Sequence, residues 1–156
     1  MSNQFTHLDS SGAARMVDVS EKEQTARTAV ASGVLRTTAE VVALLGSDGL
    51  PKGDALATAR IAGIMAAKRT WELVPLCHPI ALSGVKVDLV LGDAEVRITA
   101  TVRTTDRTGV EMEALTAVAV AGLAVIDMVK ALDPHAALRD VQVEAKDGGR
   151  NGAWTR

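Results

Sequence analysis

The feature that most restricts how this 156-residue chain can fold is an apolar run over residues 114–126, interrupted only by Thr116. A membrane-spanning helix needs ~20 such residues, so this shorter run predicts a buried helix. We expect the helix to extend from about residue 110 to residue 132 and to end at Asp133-Pro134, because proline cannot continue it. Its middle has no polar stripe, whereas a helix on the surface of a small domain keeps one wet face. A second chain is therefore expected to cover it, with close approach at the small residues Ala117, Ala121 and Ala124.

Alternating apolar and polar residues predict a β-hairpin ahead of this helix. Apolar side chains occupy every second position over residues 85–91, and again over residues 96–103 after a turn at Gly92-Asp93. Two further strands are predicted, at residues 25–35 and 138–145, and a helix at residues 55–70 with Asp54 as its N-cap. The order β-α-β-β-α-β indicates an α+β, ferredoxin-like fold, in which helices pack on one face of an antiparallel sheet.

Four shorter segments complete the predicted organisation. Residues 16–20 read as an additional N-terminal strand, and residues 38–45 as a short helix. Residues 46–53 have four turn-forming residues and predict an exposed loop. Residues 73–79 have a proline at position 75 and another at position 79, which favours an extended connection.

Length and composition indicate one domain and exclude several classes of protein. We expect a lead-in over residues 1–13, a catalytic domain over 14–147 and a mobile Gly-rich tail over 148–156. A net charge of -2 gives no general attraction to nucleic acid or membranes. Cys77 is the only cysteine, so no intrachain disulfide or multi-cysteine metal site can form, which fits a reducing cytoplasm. The start of the chain has no secretory signal pattern.

The charges of the long helix lie at its two ends. Glu111 and Glu113 stand at the start, whereas Asp127 and Lys130 stand near the finish. Glu111 and Asp127 would be about 24 Å apart along the helix axis. Either the two ends serve distinct sites, or antiparallel helices from neighbouring chains bring opposite ends together, which we favour. Ordinary structural explanations also exist: a capping box of Thr108 and Glu111, and a surface ion pair at the far end.

Several segments, taken in order, resemble the molybdenum cofactor biosynthesis protein C (MoaC) family, which has cyclic pyranopterin monophosphate synthase activity. The resemblance covers nearly the whole chain. Its segments are THLD at 6–9, RMVDVS at 15–20, KGD at 52–54, AAKRT at 66–70, PLCHP at 75–79, TGVEMEALTAV at 108–118 and DMVKA at 127–131. Two positions depart from the family pattern: Arg150 stands where lysine is usual, and Ile126 where tyrosine is usual.

The resemblance implies a function and an assembly. The expected substrate is 3′,8-cyclo-7,8-dihydroguanosine 5′-triphosphate, which is rebuilt as cyclic pyranopterin monophosphate with release of pyrophosphate, a phosphorus–oxygen lyase reaction. The implied assembly is a homohexamer, a trimer of dimers with active sites between subunits. No cofactor is expected, although Mg²⁺ can accompany the triphosphate. The alternative is a non-enzymatic, nucleotide-binding regulatory oligomer of the same fold. An RNA reader is disfavoured, because the predicted hairpin strands have no aromatic residue for stacking.

The resemblance also implies roles for individual residues. Asp127, Lys130 and Lys52 are expected to be catalytic, with Lys130 the first choice for proton transfer. The expected substrate-binding residues are His78, Glu111, Met112, Glu113, Lys146 and Arg27. Lys68, Arg69 and Arg150 are further candidates for contacting the triphosphate.

Two of these positions have an ordinary alternative. His78 could simply be held by the backbone, and Lys52 could be a solvated turn residue. Cys77 is interpreted as packing, since neighbours in an extended segment point to opposite sides. The glycines at 148–152 lack the Gly-Lys-Ser/Thr and the helix of a Walker loop.

Overall fold

The computed structural model describes residues 7–47, 54–150 and 152–156. Within them, the sheet has five antiparallel strands in the order β2-β3-β1-β4-β5. The elements in chain order are β1 (Thr25–Arg36), α1 (Ala39–Gly46), α2 (Ala55–Ala67), α3 (Thr70–Leu73), β2 (Leu82–Leu91), β3 (Glu95–Asp106), α4 (Glu111–Val129), β4 (Ala137–Asp147) and β5 (Trp154–Thr155). The predicted α+β, ferredoxin-like fold is confirmed.

Local sequence signals account for most of these elements. Asp54 caps α2 as predicted, its carboxylate accepting from the backbone N–H of Ala57 at 2.8 Å. Thr38 caps α1 in the same way through the N–H of Val41, at 3.2 Å. The alternation of β3 buries every second residue from Val96 to Val102, and these side chains form the core with α2 and α4. The predicted loop at 46–53 lies mostly outside the described residues.

Helix α4 packs on β1, β3 and β4 and alongside α2, which itself lies on β2, and this position explains much of its apolar surface. Ala117 and Ala121 are fully buried. A Cβ built at Gly63 of α2 would come within 2.8 Å of the Ala117 carbonyl and 3.2 Å of the Ala121 Cβ. The close approach that these alanines allow is therefore made inside one chain. Leu123 is still 58% exposed. By length and composition alone α4 could cross a membrane, but half of it is buried in this core.

Two predicted elements were wrong in whole or in part. Residues 16–20 are irregular and not a strand, because Asp18 bonds the backbone N–H and hydroxyl of Ser20 and folds the segment into a turn. Helix α2 stops at Ala67, and a separate turn, α3, reaches Leu73. The Thr70 hydroxyl donates to the Ala67 carbonyl at 3.0 Å, where α2 ends.

The end of the chain forms a strand that the sequence pattern did not predict. Trp154 pairs with Lys146 of β4, and the Arg156 guanidinium lies 5.4 Å from the centroid of the Trp154 ring. The proposed limits of the lead-in and the tail stay predictions.

The antiparallel register gathers four chain segments at one end of the domain. Thr25 at the start of β1 pairs with Asp106 at the end of β3, and Thr28 pairs with Asp147 at the end of β4. Helix α4 begins five residues after β3 ends. The start of α4 therefore lies at this end of the sheet, and its C-terminus lies at the opposite end.

Candidate active site

A cleft of about 890 Å³ opens at the end of the domain where β1 starts and β3 and β4 end. Three regions line it: the segment before and at the start of β1, the connection from β3 into α4, and the end of β4 with the turn that follows. The lining has five basic and five acidic side chains: Lys22, Arg27, Arg107, Lys146, Arg150, Asp18, Glu21, Glu23, Glu111 and Asp147. Such a mixture suits a ligand that has both phosphate groups and hydrogen-bond donors.

Arg27 is the most firmly held cation of the cleft. Its Nε donates to the carbonyl of Asp106 at 2.9 Å, and its Nη2 donates to the carbonyl of Arg107 at 3.2 Å. These two bonds use one N–H from each nitrogen and fix the plane of the guanidinium. Because the plane is fixed, the remaining N–H groups have fixed directions. They can therefore donate to an oxyanion without further ordering of the side chain.

Glu111 and Lys146 form an ion pair in the cleft, with Nζ and Oε1 2.9 Å apart. Their side chains are 27% and 33% exposed, respectively. The predicted capping box is wrong: the N-cap of α4 is Val110, with no side-chain hydrogen bond at the cap. The Glu111 carboxylate instead folds back over Gly109, where a Cβ would overlap it. A capping box therefore does not explain why an acid stands at position 111.

Glu113 lies in the first turn of α4, at the same end of the helix, and is buried in the core, with 4% of the residue exposed. Burial raises the pKa of its carboxyl to about 7, the neighbouring Glu111 charge adds to the rise, and its own backbone N–H opposes it. A carboxyl with that pKa can donate or accept a proton near neutral pH. Met112, between the two acids, is half-exposed.

His78 is held by the backbone, which is the ordinary structural role that the sequence also allowed. Its Nε2 lies 2.7 Å from the carbonyl oxygen of Val17, and since a carbonyl can only accept, Nε2 is the protonated nitrogen. Burial raises the pKa of the neighbouring Cys77 thiol, and the Glu113 charge adds to that rise. The 77–78 segment therefore lies beside the start of α4.

The segment from Val17 to Lys22 runs along the cleft and is tied at both ends. His78 binds its start, and the Nε of Arg107 donates to the Lys22 carbonyl at 3.0 Å. Hydrogen bonds from Ser20 hold the pKa of Asp18 below its ordinary value. Sequence reasoning missed Arg107 and Asp18 as lining residues, although both lie in segments that resemble the family or adjoin one.

The other predicted catalytic residues lie elsewhere. Asp127 and Lys130 form an ion pair of 2.6 Å, with side chains 60% and 61% exposed, at the far end of α4. One chain therefore brings Arg27, Glu111 and Lys146 together, but not with Asp127 and Lys130. Lys52 lies outside the described residues. Lys68 and Arg69 are exposed just beyond the end of α2.

The sequence model of the MoaC family matches residues 16–149. The chain belongs to the MoaC family. Among its relatives, cyclic pyranopterin monophosphate synthase 2 of Mycobacterium bovis is 64% identical over 155 residues, which cover 99% of this chain and 93% of that protein. The cyclic pyranopterin monophosphate synthase of Streptomyces coelicolor is 66% identical over 99% of this chain and 91% of its own length. That of Corynebacterium efficiens is 53% identical, covering 98% and 99%.

These MoaC relatives confirm the family that the ordered segments suggested. Each match runs nearly end to end in both proteins. The roles assigned to individual residues stay predictions, although several of those residues line one cleft.

Proposed function

We propose that this protein is a cyclic pyranopterin monophosphate synthase. It converts 3′,8-cyclo-7,8-dihydroguanosine 5′-triphosphate into cyclic pyranopterin monophosphate and releases pyrophosphate, a step of molybdenum cofactor biosynthesis. The observation that supports this most is the shared name of relatives that are 64% and 66% identical over nearly the full chain. The cleft supports it independently, because its lining gathers five basic side chains where a triphosphate could bind.

The triphosphate binds in the cleft between Arg27 and Lys146. Arg27 offers a fixed guanidinium for a phosphate oxygen, and Lys146 offers an ammonium once the phosphates compete with Glu111 for it. Glu111, released from that pair, accepts a hydrogen bond from the base or the sugar. Among the described residues, no three histidine, cysteine or carboxylate side chains gather as a metal site. Mg²⁺, where present, enters with the phosphates.

Proton transfer is divided between buried and exposed groups. Opening the base and rebuilding it as a pterin requires protons to be given and taken at neutral pH. Glu113, with its pKa of about 7, is suited to that exchange from the buried side. Lys130, paired with Asp127 in the open, acts on the reacting atoms from the solvent side, and Lys52 is the second catalytic lysine. His78 presents its second ring nitrogen while Nε2 stays bonded to the backbone.

The active site is completed by a neighbouring subunit. The two sets of predicted residues lie at opposite ends of α4, about 24 Å apart for Glu111 and Asp127 by the rise of a helix. A homohexamer built as a trimer of dimers brings one chain's Glu111 end against another chain's Lys130 end. The exposed apolar side chains of Ile61, Met65 and Leu123 supply surface for such contacts. The assembly works in the cytoplasm, in keeping with its single cysteine.

The test is to incubate the full-length protein with the cyclised nucleotide and to measure pyrophosphate release. We expect turnover that is lost in Lys52→Ala and Lys130→Ala. Tight binding of the intermediate with no release of pyrophosphate would support the regulatory alternative. Sedimentation at micromolar concentration tests the assembly, since a monodisperse monomer would contradict a site shared between subunits.

A further inference from the structure

Two consecutive glycines follow β4, and both adopt the left-handed backbone conformation. The φ angle is +91° at Gly148 and +79° at Gly149. A third glycine, Gly152, has a φ of +64°. Glycine tolerates such angles without the penalty that a Cβ imposes. This alone would explain a turn, and it does not distinguish one glycine from another.

Space around the three glycines does distinguish them. A Cβ at Gly148 would overlap the backbone carbonyl oxygen of Ala26, whereas a Cβ at Gly152 would meet no atom of the described residues within 4 Å. A Cβ at Gly149 would overlap Nη1 of Arg27 and lie 2.9 Å from its Cζ. Side-chain atoms can move where backbone cannot. A methyl group at Gly149 would therefore displace the Arg27 guanidinium and leave the strands in place.

The guanidinium cannot move without losing its other contacts. The Asp106 and Arg107 carbonyls hold Nε and Nη2, and the backbone of Gly149 faces Nη1. The backbone at Asp106, Arg107 and Gly149 thus forms a socket around the guanidinium. This socket determines which way the group points into the cleft. A shift of the group would break charge-assisted hydrogen bonds, which are strongly directional.

We propose that Gly149 is a positioning residue for anion binding by Arg27. Its missing side chain leaves the space in which the guanidinium lies against the main chain and faces the phosphates of the nucleotide. The inference deepens the proposed function, because it rests on Arg27 binding the triphosphate. It gives the glycine at 149 a role in substrate affinity that its φ angle alone does not imply.

The experiment is a double-mutant cycle on the full-length protein. The variants are Gly149→Ala, Arg27→Ala and the double substitution, with Gly152→Ala as the matched control, because Gly152 also has a positive φ but its Cβ position is clear of the other described residues. Calorimetry measures the Kd for inorganic pyrophosphate, and steady-state kinetics with the cyclised nucleotide separates KM from kcat. Thermal unfolding shows whether the two glycine variants are equally stable.

We expect Gly149→Ala to weaken pyrophosphate binding about tenfold, as loss of a charge-assisted contact does. KM rises in parallel, with kcat little changed, whereas Gly152→Ala binds like the wild type. In the Arg27→Ala background, Gly149→Ala has no further effect, because neighbours that act through one contact are not additive.

Unchanged affinity in Gly149→Ala, or two effects that simply multiply, would overturn the proposal. A wild type that binds pyrophosphate but turns over no cyclised nucleotide would refute the proposed function instead, and the binding cycle would still test Gly149.

Discussion

Each end of α4 has an acid paired with a lysine, but the surroundings of the two pairs are opposite. At the N-terminal end, Glu113 is buried and Glu111 is bonded to Lys146 in a cleft. At the C-terminal end, Asp127 and Lys130 pair in the open, each about 60% exposed. Burial makes the first end costly to ionise, while water and salt screen the second.

At the exposed end, the contribution of the charged residues to stability can be separated from their contribution to function. An exposed ion pair contributes about 0–1 kcal/mol to folding, so folding gives little reason for Asp127 and Lys130 to be where they are. At the buried end, stability and function change together, because any change to Glu113 alters both the core and the charges beside Glu111. Substitutions at the exposed end should therefore change activity with little change in stability, whereas substitutions at the buried end should change both.

The largest effect is expected at the exposed end. Lys130→Ala should lower pyrophosphate release about a thousandfold, as loss of a proton-transfer group does. Its unfolding free energy should change by less than about 0.5 kcal/mol. Lys86→Ala, which breaks another exposed pair, Lys86–Asp88 at 2.7 Å, is the matched control and should keep full activity. Full activity in Lys130→Ala would remove the catalytic role of this end.

A subunit-mixing experiment tests whether the two ends meet across chains. Lys130→Ala and Lys146→Ala, each inactive alone, should recover about one quarter of wild-type activity when co-assembled at equal amounts. In a dimer of one Lys130→Ala chain and one Lys146→Ala chain, one of the two sites has an intact Lys130 and an intact Lys146, and the other site lacks both. Half of the randomly formed dimers are mixed, so one quarter of all sites are active. Activity that stays at the level of the parents would contradict a site shared between subunits.

The buried acid should make stability depend on pH. Because the pKa of Glu113 is raised from 4.5 to about 7, its protonated form favours the folded state. That contribution is fully present below pH 4.5 and is lost as pH rises through 7. Relative to Glu113→Gln, the wild type should therefore lose about 2 kcal/mol between pH 5 and pH 8. Denaturant unfolding at several pH values measures this.

The control for that experiment is Glu40→Gln, which alters an exposed acid in the first turn of α1. It should follow the wild type at every pH. A Glu113→Gln profile parallel to that of the wild type would mean that Glu113 is ionised at neutral pH despite its burial.

The smallest expected effect compares the two ends directly. Glu111→Gln weakens a partly buried pair and should cost about 1 kcal/mol of unfolding free energy, whereas Asp127→Asn should cost less than about 0.5 kcal/mol. Chemical denaturation of both variants at pH 7 gives the comparison. Equal costs would show that the cleft does not strengthen the Glu111–Lys146 pair.

Periodicity and capping predicted most of the fold, because these signals are local. The alternation of β3 and the Asp54 cap both appear in the structure where the sequence indicated them. Local signals failed at two places, one where a competing local turn forms and one where a distant partner decides. The Asp18 turn displaced the predicted strand at 16–20, and the supposed capping acid Glu111 binds Lys146, 35 residues away.

The candidate site could also be predicted only in part from the sequence. The resemblance to the family implied roles for Arg27, Glu111 and Lys146, and the structure brings these three to one cleft. No spacing could have shown that Arg27 lies in a socket of backbone from β3 and from the turn at Gly149. The signal for Arg107 was its place directly before the family segment at 108–118.

The sequence by itself determined the elements, their order, the family and the residue types available for chemistry, because periodicity, caps and ordered motifs are written along the chain. Tertiary structure alone decided which of those residues share a cleft and which acid is buried. Strand register joins positions 27, 106 and 149, and packing determines how much water reaches a charge. Glu111 and Glu113 are two residues apart, yet one is a bonded cleft acid and the other a buried acid with a pKa of about 7.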